Sequence, residues 1–108
     1  MQNQIVRQGD ILIVPIDRLP KCSPIEAENG LHILAHGEAT GHHHSIHASN
    51  RITMFREDGA GGGLCFTVTD APVQLVHQEH SALTIQPGHY QVRRQRTMTA
   101  GLVRRVAD

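Results

Sequence analysis

Apolar and polar residues alternate with a period of two along most of this chain, and no stretch of ten or more carries the helical period. The alternation is sharpest at residues 64–69, where Leu64, Phe66 and Val68 interleave with Cys65, Thr67 and Thr69. That is the pattern of a strand with one face in a core. Residues 51–56 precede it across the glycine-rich turn 58–63, so the two segments are predicted to pair as a hairpin. The continuous apolar run 11–16 reads as a strand buried on both faces. Pro15 has no amide hydrogen, so this strand must lie at an edge or bend there. Residues 17–30 are polar, contain Pro20 and Pro24, and read as a loop with room for one short helical turn. In the strand 31–36, Leu31, Ile33 and Ala35 share one face, with His32, Leu34 and His36 on the other. Further strands are predicted at 42–47, 73–77, 82–86 and 89–98, and a last one at 102–107 closes the sheet.

This pattern predicts one all-β domain over residues 1–108, with seven to nine short antiparallel strands in a small barrel or sandwich. A chain of 108 residues is long enough to bury a core without disulfides. Hydrophobic residues make up 39 %, with no Trp, one Tyr and two Phe. The core is therefore expected to be built of Ile, Val and Leu, which suit strands. Sheet edges left exposed favour pairing with a second copy, and a homodimer is expected.

The composition departs from the ordinary in histidine: nine, four of them at His42, His43, His44 and His47. Alternate side chains of a strand project to one side, so His42, His44 and Ile46 are expected on one face and His43 and His47 on the other. His77, Glu79 and His80 form a second group. His77 and Glu79 share a face if that segment is extended; His77 and His80 converge if it turns tightly. Two such groups on neighbouring strands could supply three or four ligands at about 2.0–2.2 Å to a divalent ion. Zinc, iron and nickel all suit nitrogen-rich sites of this kind. The metal set is thus His42, His44, His77, Glu79 and His80. A competing reading makes the same residues a hydrogen-bonded polar cluster or simple surface decoration. Glu79, or Glu38 as an alternative, is placed to take a proton from water on such a metal. His32 and His36 read as the edge of a core and His89 as solvent-facing. Whether the domain is an enzyme stays open.

Formal charge is zero, which removes any whole-chain argument for nucleic acid or membrane. The charge is uneven, however: five of the ten Lys and Arg lie at Arg93, Arg94, Arg96, Arg104 and Arg105. Such a run is ordinarily a solvated strand face. Cys22 and Cys65 are too few for a disulfide framework; Cys65 reads as a buried apolar residue and Cys22 as part of a loop. The run Gly61-Gly62-Gly63 lacks the strand-to-helix setting of a phosphate loop. No apolar run is long enough to span a membrane, and a cytoplasmic protein is expected.

Several segments together resemble a family of small uncharacterised proteins from phages, mobile elements and bacterial genomes. They are Gln8-Gly9-Asp10 with the apolar strand after it, Gly41-His42-x-His44, His77-x-Glu79-His80, and Pro87-Gly88-x-Tyr90-x-Val92-x-x-Gln95. The resemblance implies a β-rich domain of no established activity, with His42, His44, His77, Glu79 and His80 in one recurring pattern. It departs at Arg96-Thr97-Met98, where the pattern has an acidic–aromatic pair. A looser similarity is to cupins, through His42-x-His44 and Pro87-Gly88-His89, although the glutamate that the cupin motif places soon after its histidines is missing.

Two functional classes follow. One is a divalent-metal-binding β domain, with catalysis open. The other is a non-enzymatic accessory module of a mobile element, whose basic C-terminal strand contacts a partner protein or nucleic acid. A small-molecule binder with histidines as polar anchors is a third. Few aromatics stand near the arginines, which argues against single-strand recognition.

Overall fold

The computed structural model describes residues 4–37, 41–59, 62–94, 96–99 and 102–105, the last two for their backbone. Glu38, Gly61 and Gln95 lie outside the described residues, as do the side chains of Arg96, Arg104 and Arg105. Every element is a strand: β1 (Val6–Gln8), β2 (Ile11–Ile16), β3 (Cys22–Ile25), β4 (Leu31–His36), β5 (His43–His47), β6 (Ile52–Glu57), β7 (Leu64–Val68), β8 (Val73–Val76), β9 (Leu83–Ile85), β10 (Gly88–Arg94), β11 (Arg96–Thr99) and β12 (Leu102–Arg105).

Ten of them form two antiparallel sheets. One runs β1-β2-β10-β7-β6-β3 and the other β4-β5-β8-β9. Their inner faces meet in one core. The larger sheet contributes Ile11, Ile13, Ile52, Met54, Phe66, Val68 and Tyr90; the smaller contributes Leu34, Ala35, Ile46, Val73, Leu75 and Ile85. Phe66 and Tyr90 stack at 5.2 Å between ring centroids, adding an aromatic contact to the apolar burial. The arrangement is sandwich-like, and no closed barrel forms among the described residues.

Besides the division of the segment 89–98 into β10 and β11, the strand count exceeds the seven to nine expected for two reasons. β3 occupies a segment read as loop, because Pro20 and Pro24 signal breakage; Pro24 is tolerated since β3 lies at the sheet edge, bound only to β6. Cys22 is accordingly in a strand. β1 is only three residues long and lacks a periodic signal. A third difference concerns the C-terminus. β12 does not close the sheet but pairs with β11 in a separate two-stranded ribbon.

β2 is buried on one face rather than two: Ile11 and Ile13 are fully buried and Leu12 and Val14 half-buried. Pro15 lies beyond the stretch paired with β1, where β2 has a free edge, as its missing amide requires. The hairpin β6–β7 pairs as predicted, Ile52 opposite Val68 through Arg56 opposite Leu64. In β4, a bulge between Ile33 and Ala35 breaks the simple alternation. His32 and Leu34 are buried on one face and Leu31 and Ile33 only partly buried on the other, as the alternation groups them, while past the bulge Ala35 is buried and His36 exposed.

Candidate functional site

The imidazoles meet where β5 faces the loop 77–81 and the β1–β2 turn. Along β5, His44 and Ile46 point into the core and His47 is exposed, the strand alternation doing the sorting. His44 is fully buried. After β8 the chain bends sharply: the Glu79 amide donates to His77 Nδ1 at 3.0 Å, folding His80 back over His77. The ring centroids of His77 and His80 are 4.6 Å apart. Of the two geometries open from spacing, the tight turn is realised. Gln78 anchors this loop to β5 by accepting the His43 amide at 2.8 Å.

The two histidine groups therefore converge. The His44 centroid lies 4.4 Å from that of His77 and 6.1 Å from that of His80, and His42 lies 5.6 Å from His77. Glu79 is more than half exposed and sits at the mouth, its Oε2 3.5 Å from His42 Nδ1. Depth thus increases from Glu79 through His42 to His44.

Three further residues complete the site. Asp10 is at the tip of the β1–β2 hairpin, where Gly9 at φ 57° opens a two-residue turn of the kind that puts glycine first. Its carboxylate is 1 % exposed, an uncommon fate for a turn residue. Arg94 Nη1 donates to Asp10 Oδ2 while Nη2 donates to the His36 carbonyl at 2.7 Å. The other oxygen, Oδ1, stands 3.6 Å from His44 Nε2. Gln8 closes the chain from the far side: its Nε2 donates to the carbonyls of Leu75 at 3.1 Å and Ser81 at 2.9 Å. Its Oε1 lies 2.9 Å from His44 Nδ1. Since the Gln8 amide nitrogen is committed to two carbonyls, Oε1 accepts and His44 Nδ1–H donates. The other ring nitrogen, Nε2, is the one on the Asp10 side.

Sequence reasoning missed Gln8, Asp10 and Arg94. Gln8 and Asp10 belong to a segment noted for its resemblance, but a turn residue gives no signal of being buried. Arg94 was grouped with a solvated basic run, and the fold instead uses it to neutralise a buried carboxylate.

The remaining histidines are elsewhere. His36 and His43 meet edge to face at 6.4 Å, and His43 Nδ1 is 3.1 Å from Ser45 Oγ. His89 lies against Thr67 Oγ1 at 2.8 Å on the larger sheet. His32, on β4, is buried, and burial lowers its pKa below the usual 6.5. Cys65 is fully buried as expected, its thiol pushed up to about 11 chiefly by burial, with Glu57 adding to the effect. A groove between the sheets is lined by Ile25, Leu31, Ile33, Met54 and Leu64 with Glu26, Glu28 and Arg56, and no histidine borders it. Among the described residues, no three His, Cys, Asp or Glu side chains are set where they could together hold a metal ion. No described helix is long and apolar enough to cross a membrane.

Fold and site together define a small two-sheet β domain with an imidazole–carboxylate cluster buried at one end of the sandwich. Residues 7–95 match the model of DUF8820, a domain of unknown function, and the chain belongs to that family. No curated protein matches the chain, and no solved structure does.

Proposed function

We propose that this domain binds one divalent transition-metal ion (zinc, iron or nickel) at the imidazole cluster, with His44 as the anchoring ligand. The other ligands come from His42, His77, Glu79 and His80, and from Asp10. One observation carries the reading: His44 Nε2 stands 3.6 Å from Asp10 Oδ1, with both groups buried. That separation is long for a strong hydrogen bond. It matches the spacing of two ligands on one tetrahedral ion, about 3.3–3.6 Å for bonds of about 2.0–2.2 Å. Buried carboxylate and imidazole lone pairs directed at one point favour a cation between them. Gln8 and Arg94 occupy the outer positions that orient metal ligands in such sites. A third donor reaches the ion by rotation about histidine χ2, a soft torsion.

Elemental analysis of the untagged full chain, loaded separately with zinc, iron and nickel and then dialysed, tests this. The expected result is about one equivalent of a preferred metal, released on acidification as the imidazoles protonate. Less than about a tenth of an equivalent with all three metals would overturn it.

A second reading is favoured by one feature, the Glu79 amide bond to His77 Nδ1. In it the cluster holds and relays protons rather than an ion. Metal-free protein whose cluster keeps its ring contacts after loading would select this reading.

A further inference from the structure

We infer that Nδ1 is held in opposite senses in the two rings, donating in His44 and accepting in His77, so that in their neutral forms they are opposite tautomers, His44 the electron-pair donor of the site and His77 its proton donor. The two rings are neighbours, 4.4 Å between centroids and inclined by 37°. What fixes each is different in kind. At His44 the determinant is a side-chain amide. Were the Gln8 amide turned over, its oxygen would face the Leu75 and Ser81 carbonyls at 3.1 and 2.9 Å, two contacts between acceptors. The orientation is therefore dictated by backbone, Oε1 accepts from His44 Nδ1–H, and Nε2 keeps the lone pair. At His77 the determinant is the backbone itself. The Glu79 N–H can only donate, so Nδ1 accepts and the neutral ring carries its proton on Nε2.

This separates two of the candidates by role and takes His77 out of the ligand set, and that separation rests on the metal reading above. His44 offers a lone pair at Nε2 and ligates. His77 offers an N–H there; to ligate through the same atom it would have to move its proton to Nδ1, against the Glu79 amide. It serves instead as a positioning residue, hydrogen-bonding an acceptor held beside the ion. The ligand class is a divalent cation accompanied by a hydrogen-bond acceptor, either water or a small oxyanion. Gln8 sets this polarity and spans the sandwich, joining β1 of one sheet to β5 and the β8–β9 loop of the other.

Long-range proton–nitrogen correlation spectra of the 15N-labelled, metal-free full chain test the tautomers directly. The expected pattern is protonated Nδ1 for His44 and protonated Nε2 for His77; the same tautomer in both rings overturns the inference. Gln8→Ala should release His44 into a tautomer mixture, while Gln8→Glu, which keeps an acceptor, should retain protonated Nδ1. If neither variant folds, the wild-type spectrum decides alone. Zinc titration then tests the roles. His44→Gln should weaken binding by roughly a hundredfold or more and His77→Gln by roughly tenfold or less. Equal losses would overturn the division. Wild-type protein that binds no zinc, iron or nickel overturns the metal reading only, and the spectra then decide the tautomers by themselves.

Discussion

The two faces of β5 carry the same residue type to opposite ends. On the inner face, His44 is buried against Asp10, Gln8 and two further imidazoles. On the other side, His43 shares a hydrogen bond with Ser45 and meets the edge of His36, and His47 at the strand end is exposed. Neighbours in sequence thus differ in partner and in contact with water. An imidazole becomes a site when the fold removes its solvent and dictates which partner each nitrogen meets.

The difference predicts a graded response to substitution. The largest effect is expected at Asp10. Asp10→Asn leaves Arg94 facing a neutral group and His44 without its carboxylate, and should cost about 3 kcal/mol. Urea unfolding of the metal-free protein measures this; a loss no greater than that of a surface change would mean the pair is not structural. Next is Gln8→Ala, which strands the Leu75 carbonyl and the His44 N–H and should cost about 2 kcal/mol in the same assay.

A pH effect of smaller size is expected from His32. Its folded pKa lies below 6.5, so the unfolded chain takes up a proton that the folded chain resists. Stability from this group is complete above about pH 6.5 and declines as pH falls toward the lowered value, by at most roughly 1.4 kcal/mol per unit. His32→Leu should flatten that part of the urea-midpoint profile; an unchanged slope would assign the acid sensitivity to other groups. The smallest effect belongs to the exposed His47, where His47→Ala should change stability by less than about 0.5 kcal/mol and leave metal binding intact.

How much of this was legible in the sequence follows from what each signal reports. Strand alternation reads burial on one face, so β7, the β6–β7 hairpin and the inward turn of His44 were accessible. The convergence of His42 and His44 with His77 and His80 could be posed as a geometric alternative, because Ser81 follows a segment able to bend. Periodicity is silent on bulges, and the one in β4 buries Ala35 next to Leu34, where alternation sets the two on opposite faces. Proline signals breakage, and so β3 was hidden by Pro24 although an edge strand accommodates it. The partners of the cluster were hardest to see. Asp10 and Arg94 are 84 residues apart and meet only because β10 runs antiparallel to β2, which sets Arg94 opposite Ile11 at the hairpin's end. No local pattern encodes that pairing.

The claim on which the account turns is that the inner imidazoles form a cation site. Cobalt(II) titration followed by visible absorption addresses it most directly, since the ligand-field bands report coordination number as well as binding. The prediction is a set of intense bands saturating near one equivalent, abolished in His44→Gln and preserved in His47→Ala. A featureless spectrum, or bands that survive His44→Gln unchanged, would contradict it.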